Sequence, residues 1–231
     1  EEGGWRPVGV VDEDAADGLT EAGIEMVVDS FVEAARRADA AGFDAVEVHA
    51  AHGYLLHQFY SPLSNTRTDA WGGDHAGRTR LVRTVAEEVR AAFPQGKPVL
   101  VRLSATDWVD GGWSIEDSVR LGAELRELGV DLVDVSSGGV APASIAAGPG
   151  YQVDFAQRIR HETGMPTAAV GLITDPTHAE AIVANGRADA VLLGRAAMRE
   201  PNWPLRAAHA LGVRPEDAPY APARWRSHYQ R

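Results

Sequence analysis

The chain has 231 residues, 45% of them hydrophobic and 24% charged, a globular composition long enough to bury a sizeable core. Its 33 acidic residues against 22 Lys and Arg give a net charge of −11, which disfavours a nucleic-acid binder and a partner of anionic membranes. The absence of Cys excludes a disulfide scaffold, a Cys-ligated zinc site and an iron–sulfur cluster within these residues, and fits a reducing, cytoplasmic setting. No apolar run approaches the roughly 18 residues of a membrane-spanning helix, and no secretory leader is recognisable. Because residue 1 is Glu and not Met, the chain is expected to be processed or to be a piece of something longer.

Residues 1–19 carry no sustained period and read as loop. Thr20 then offers an N-cap, and Ile24, Val27, Val28, Phe31, Ala34, Ala35 and Ala38 recur at helical spacing up to a stop at Gly42. From there the pattern alternates. Short apolar runs at 44–49, 98–104, 131–136, 166–171 and 189–194 are separated by helical stretches at 77–93, 115–128, 152–163 and 176–185, with a last helix at 202–211. Strand and helix alternating in this way imply parallel strands joined by crossovers. The five units fill 44–211 at about 34 residues each, the size of a βαβ unit. Residues 20–211 therefore form a helix plus five βα units, followed by a tail over 212–231, with no second domain visible.

The strand phases decide between two α/β architectures. Val46 and Val48 alternate with Glu47 and His49; Val99, Val101 and Leu103 with Arg102 and Ser104; Val133 and Val135 with Asp134 and Ser136. Each strand has one aliphatic face and one face with polar side chains near its C-terminal end. A doubly wound sheet covered by helices on both sides reads apolar on both faces. A (β/α) barrel has helices outside and a site at the C-terminal mouth, and produces this asymmetry. Eight units at this spacing need roughly 270 residues, near the usual ~250. The fold class expected is thus a (β/α)8 TIM barrel present only as strands 4–8, with the missing units on the N-terminal side.

The residues richest in chemistry lie in 47–73, EVHAAHGYLLHQFYSPLSNTRTDAWGG. On a continuing strand His49 and His52 would face opposite ways; they converge only if the chain turns, and Gly53 permits a turn. Two converging imidazoles suit hydrogen bonding to a carbonyl or phenolate oxygen. A core His beside a surface His, or a metal site of Glu47, His49 and His52, are the alternatives. The other histidines, His57, His75, His161, His178, His209 and His228, read as surface or loop. Helix 115–128, with Glu116, Asp117, Glu124 and Glu127, reads as a solvated face.

HAAHGYLLHQFYSPLSNTRTDAWGG, together with EEGGWRPV, VRLSATDWVDGGW, VDLVDVSSGG, PGYQVDFAQRIR and NGRADAVLLGRAAMREPNWP, closely resembles the old yellow enzyme family. The group most similar is the bacterial NADPH dehydrogenases and xenobiotic reductases. The resemblance implies an FMN enzyme on a (β/α)8 barrel that takes electrons from NADPH or NADH and reduces an activated alkene. It implies an enone-type small-molecule substrate and a homo-oligomer, or completion by the missing N-terminal units. By motif, His49 and His52 match the pair that holds the substrate oxygen, and the resemblance assigns the whole segment His49, Ala50, Ala51 and His52 to substrate binding. Tyr54 matches the proton donor to the α-carbon; a phenol is protonated at neutral pH and can act as an acid. Arg102 matches the arginine beside flavin N1 and O2, an ion pair with Glu47 or Asp134 being the alternative. Gly171, Gly194 and Arg195 match the phosphate cradle, in keeping with the phosphate sites that follow strands 7 and 8 of barrels. Trp225, in the aromatic and basic tail, matches a C-terminal tryptophan that lines an active site and is exchanged between neighbours. No metal is expected on this reading.

Three functions follow as alternatives. The first is an ene-reductase. The second is a catalytically incomplete barrel, or a subunit that needs a partner chain. The third is a metal-dependent hydrolase built on Glu47, His49 and His52.

Overall fold

The computed structural model describes residues 8–12 and 17–218. Trp225 and the tail beyond 218 lie outside the described residues. Two short strands, β1 (Val8–Gly9) and β2 (Asp17–Gly18), pair in parallel, so the stretch read as loop holds a small two-stranded contact. Helix α1 (Glu21–Ala40) follows, its first turn closed by Thr20, whose Oγ1 accepts from the Gly23 N–H at 3.1 Å.

The rest alternates as the spacing requires: β3 (Val46–Ala50), α2 (Leu55–Tyr60), α3 (His75–Ala92), β4 (Val99–Ser104), α4 (Ile115–Glu127), β5 (Leu132–Ser136), α5 (Val153–Thr163), β6 (Thr167–Ala169), α6 (Pro176–Ala184), β7 (Ala190–Val191), α7 (Arg195–Arg199) and α8 (Trp203–Ala210). Local chemistry sets the helix starts. Asp74 caps α3, a reciprocal Ser114–Asp117 capping box opens α4, and Asp175 caps α6 just ahead of Pro176. Four elements differ from the sequence reading. Strands β6 and β7 end at Ala169 and Val191, short of 171 and 194, because the chain leaves extended geometry on its way to Gly171 and Gly194. Helices α2 and α7 occupy stretches read as connections; at six and five residues they are too short to display a helical period.

Strands β3 to β7 form one parallel sheet in chain order, without reversal. A doubly wound sheet reverses its order at a switch point; sequential order with crossovers of one hand keeps the helices on one side. The helices pack in series along that side, α1 on α3, α3 on α4, α4 on α5 and α6 on α8. Val48, Val99, Val101, Leu103, Val133 and Val135 are all at most 3% exposed and face them. The opposite face carries Glu47, His49, Arg102, Ser104, Asp134 and Ser136, the six polar residues expected there, which the register sets side by side: His49 opposite Arg102, Arg102 opposite Asp134, and Ser104 opposite Ser136. The arc is part of a (β/α)8 barrel.

The two faces of β4 differ in their sensitivity. Leu103→Ala, on the helix-covered face, is expected to cost about 2–5 kcal/mol. Leu100→Ala, on the half-exposed concave face, is expected to cost well under half of that, because less apolar surface leaves water there. Urea denaturation of both variants checks the pair; equal costs would mean that the concave face is packed as tightly as the helical one.

Candidate active site

The site grows from the way the chain leaves β3. His49, on the concave face, is followed by Ala50 and Ala51, both fully buried, and then by two consecutive residues with positive φ, His52 (61°) and Gly53 (77°). The turn brings the two imidazoles together with ring centroids 5.3 Å apart, and the Tyr54 ring lies 5.2 Å from that of His49. A left-handed backbone at a residue with a Cβ costs about 1–2 kcal/mol, so it has to be held. The His52 N–H donates to Ser104 Oγ at 2.9 Å, and that hydroxyl in turn donates to the Gly138 carbonyl at 2.7 Å. The loop after β5 presses on the turn so closely that a Cβ on Gly139 would lie 2.3 Å from the His52 carbonyl carbon, and one on Gly53 would lie 2.2 Å from the Gly139 oxygen. Only glycine fits either position. Tyr60 closes the floor: its OH donates to the Ala50 carbonyl at 2.8 Å and accepts from the Ser104 N–H at 3.0 Å.

Both imidazoles are held neutral. Burial lowers the pKa of His49, and the nearby Arg102 lowers it further. Burial, with Arg102 adding to it, brings His52 down to about 4. His52 Nε2 lies 2.6 Å from Ser136 Oγ, which leaves its Nδ1 edge for another partner. Tyr54 is exposed over most of its surface at the N-cap of α2.

Arg102 stands between His49 and Asp134, its Nε 2.8 Å from Asp134 Oδ2. The ion-pair alternative for Arg102 is therefore realised, with Asp134 as the partner. It does not exhaust the guanidinium, whose two terminal nitrogens remain, and the side chain is 28% exposed. Asp134 is 1% exposed, and neither of its carboxylate oxygens accepts an aligned hydrogen bond among the described residues. Burial pushes its pKa up to about 7, with Arg102 pulling down and Glu47 pushing up. Glu47, exposed overall, is also raised by the partial desolvation of its carboxyl, against the pull of Arg102.

A second recess of ≈ 170 Å³ opens beside this cluster, where β6 and β7 end. Gly171, Gly194 and Arg195 line it together with Ser136, Tyr151, Gln152 and Arg199. Its charged lining residues, Arg195 and Arg199, are both cationic. Gly194 caps α7, and a Cβ there would meet nothing within 4 Å, so the space over its backbone is open to a ligand. These features suit a phosphate group. Ser136 belongs to both regions and is their seam.

The sequence reading missed three residues. Gln152, 2% exposed, braces the recess by accepting from Ser137 Oγ and donating to the Val170 carbonyl at 3.1 Å. His57 and Asp107 are fully buried and bonded to each other at 2.9 Å. The surface assignment of His57 and His75 is thereby corrected. His57 is turned inward by the six-residue helix α2, and His75 is stacked on Trp113 and packed between α3 and α4, with Nε2 3.3 Å from Glu124. The solvated face of α4 is likewise partly engaged, since Asp117 closes the capping box and Glu116 and Glu124 form ion pairs. Among the described residues no group of three or more His, Cys, Asp or Glu has metal-binding geometry, so the set Glu47, His49 and His52 does not assemble as ligands. No helix among them is long and apolar enough to cross a membrane.

Comparison with known proteins agrees with this geometry. The family model described as NADH:flavin oxidoreductase / NADH oxidase matches residues 8–213. An NADPH dehydrogenase of Geobacillus thermodenitrificans is 50% identical over 198 residues, 86% of this chain and 58% of the relative. An NADPH dehydrogenase of Bacillus subtilis is 47% identical over 190 residues, 82% of this chain and 56% of the relative. The solved structure of the old yellow enzyme homologue from Zymomonas mobilis superposes with a TM-score of 0.71 at 25% identity, covering 96% of this chain and 63% of that one. The chain thus spans somewhat under two thirds of the length of these proteins.

Asp134 gives the site a pH signature. A carboxyl whose folded pKa is raised from 3.8 to about 7 contributes stability that is complete below pH 4 and lost as pH rises toward 7. Relative to Asp134→Asn, the parent should lose stability progressively as pH rises across that window. Urea denaturation of both proteins between pH 4 and 8 measures the difference; a constant gap would mean that Asp134 is ionised throughout.

Proposed function

The chain belongs to the NADH:flavin oxidoreductase / NADH oxidase family, and from that premise we propose that it forms the C-terminal five units of an FMN-dependent ene-reductase barrel, reducing the activated C=C bond of α,β-unsaturated carbonyl compounds at the expense of NADPH or NADH. The observation that carries the reading is the convergence of His49 and His52, both neutral, on the concave face beside Tyr54 and Arg102.

The residues present fit the cofactor. Gly171, Gly194 and Arg195 would hold its phosphate in the basic recess, where the space over Gly194 is open. Arg102 would lie against the ring with the guanidinium nitrogens that Asp134 leaves available. When bound, FMN supplies the hydride. The part of this chain is to hold the acceptor and manage charge. Each neutral imidazole offers one N–H to the carbonyl oxygen of the substrate, stabilising negative charge that builds there as the β-carbon is reduced. Ala50 and Ala51, expected to bind substrate, are fully buried and present no surface to it. Tyr54, at the exposed rim, donates its phenolic proton to the α-carbon.

Among the described residues β3 and β7 each have one unpaired edge. On this reading, further barrel strands complete the wall around the flavin ring, supplied by the relatives' N-terminal units or by a partner chain. The expected setting is cytoplasmic and oligomeric.

Two measurements test the assignment. Replacing His49 and His52 together with Ala is expected to slow cyclohexenone reduction by ~10² or more, since loss of a single oxyanion donor costs about 10²–10³, while reduction of the flavin by NADPH is much less affected. Parental alkene turnover in the double variant would refute the role of the histidines. Arg195→Ala is expected to weaken FMN roughly tenfold or more, the scale of a charged hydrogen bond, and to leave riboflavin, which lacks the phosphate, unchanged. Fluorescence titration reads both, and an equal loss for the two flavins would remove Arg195 from the phosphate site.

A further inference from the structure

His57 and Asp107 lie behind the site, and neither has a role in the chemistry proposed above. Both side chains are completely shielded from solvent. The Gly53 N–H donates to His57 Nδ1 at 2.9 Å. That nitrogen must therefore carry a lone pair, so the proton of the neutral ring is on Nε2, which donates to Asp107 Oδ1 at 2.9 Å. The other carboxylate oxygen accepts from Ser61 Oγ at 2.6 Å and from the Trp113 N–H at 2.8 Å. Burial works to raise the pKa of Asp107, but the hydrogen bonds from His57, Ser61 and Trp113 outweigh it and keep the group ionised. The next residue of α2 completes the grip, Gln58 Nε2 donating to the Gly53 carbonyl at 2.8 Å. Both peptide groups of Gly53 are thus held by side chains one helical turn further on.

We propose that His57 and Asp107 are positioning residues: Asp107 fixes the tautomer of His57, and His57 fixes the left-handed turn at His52–Gly53 that aims His52 at His49. The inference rests on the reading of the two histidines as a pair that binds one oxygen. Two facts tie the buried dyad to the turn and not merely to the core. Through His57 it reaches the main chain of the turn itself, at the amide of Gly53, the residue that follows His52. Asp107 itself comes from the loop after β4, so the dyad joins the loops that leave two neighbouring strands.

Asp107→Asn separates this role from simple packing, because it keeps the shape of the side chain. The Ser61 hydroxyl and the Trp113 N–H are donors, so they hold the amide oxygen on their side and turn the NH2 toward His57. His57 Nε2 then has to accept, the ring proton moves to Nδ1, and Nδ1 repels the Gly53 N–H, the tautomer error known for a carboxylate-to-amide change behind a histidine. In 15N NMR of the imidazoles of the purified protein, His57 is expected to change from the Nε2–H to the Nδ1–H form. His52 is expected to titrate well above its parental value of about 4, toward the ordinary 6.5, and the ring contact between His49 and His52 to be lost. His57→Asn is the second variant: its Oδ1 takes the place of Nδ1 and still accepts from Gly53, so His52 should keep its low titration although the bond to Asp107 is gone. A His57 that keeps its Nε2 proton in the Asp107→Asn protein, or a tautomer that flips while His52 titrates as before, overturns the proposal. So does a His52 titration that moves by a unit or more in His57→Asn. Binding of 4-nitrophenolate to the same variants isolates the underlying reading: if His52 shifts in Asp107→Asn and affinity for the phenolate does not, the positioning role stands and the oxygen-binding role of the histidines falls.

Discussion

Two successive left-handed residues at the end of β3 are the constraint on which the site depends. An extended continuation would have put His49 and His52 on opposite faces of the sheet. The turn reverses that, at a conformational cost of about 1–2 kcal/mol for His52, and every neighbouring element contributes to holding it. Ser104 at the end of β4 binds the His52 amide, Gly139 after β5 packs flush against its backbone, and α2 grips the peptide groups of Gly53. Because the three strands are parallel and in register, their C-terminal ends arrive at one level. Residues separated by 52 and 84 positions in sequence can then meet within a hydrogen bond of one another, as His52 does with Ser104 and with Ser136.

The same register explains why the sheet is polar on one side only. Helices cover the face of Val99, Val101 and Leu103, so hydrophobic burial is satisfied there. The other face is free to hold groups that a doubly covered sheet could not accept. It also concentrates them: Glu47, Arg102 and Asp134 lie on three adjacent strands, and the low exposure of Asp134 makes their mutual charges matter more than they would in water.

Much of this was legible in the sequence, for a physical reason. Alternation with period two survives in β3, β4 and β5 because one face is aliphatic and the other polar, and that contrast carries both the strand positions and the side on which the site lies. It fades in β6, where Thr167, Ala168 and Ala169 are all buried, and the ends of β6 and β7 were correspondingly misjudged. The convergence of the histidines could be stated only as a condition, that the chain turns at Gly53; that His52 itself adopts the left-handed geometry depends on a contact with Gly139 far along the chain. His57 and Asp107 were illegible for a related reason. A buried polar pair breaks no period and completes no motif, and its partners are 50 residues apart. Asp107 shares its loop with Asp110, and nothing in the sequence SATDWVDGGW says which of the two is turned inward.

The charge distribution shows why the overall balance of −11 says little about the site. Arg102 is a permanent cation set among groups whose protonation it governs. It opposes the effect of burial on Asp134 and Glu47, and it adds to the effect of burial on His49 and His52. The imidazoles are therefore neutral across the physiological range, and each has one N–H to give and one nitrogen that accepts. In the proposed chemistry this division is useful. A protonated imidazole pair beside Arg102 would place three positive charges within a few ångströms, and its attraction for an anion would be spent on any anion that entered. Neutral donors beside one fixed cation bind an uncharged carbonyl modestly and strengthen their hold only as negative charge develops on it, which is the differential binding that lowers a barrier. The geometry of the turn, and burial reinforced by the field of Arg102, thus serve one end: the first brings two N–H groups toward the same point, and the second keeps them the N–H groups of a neutral ring.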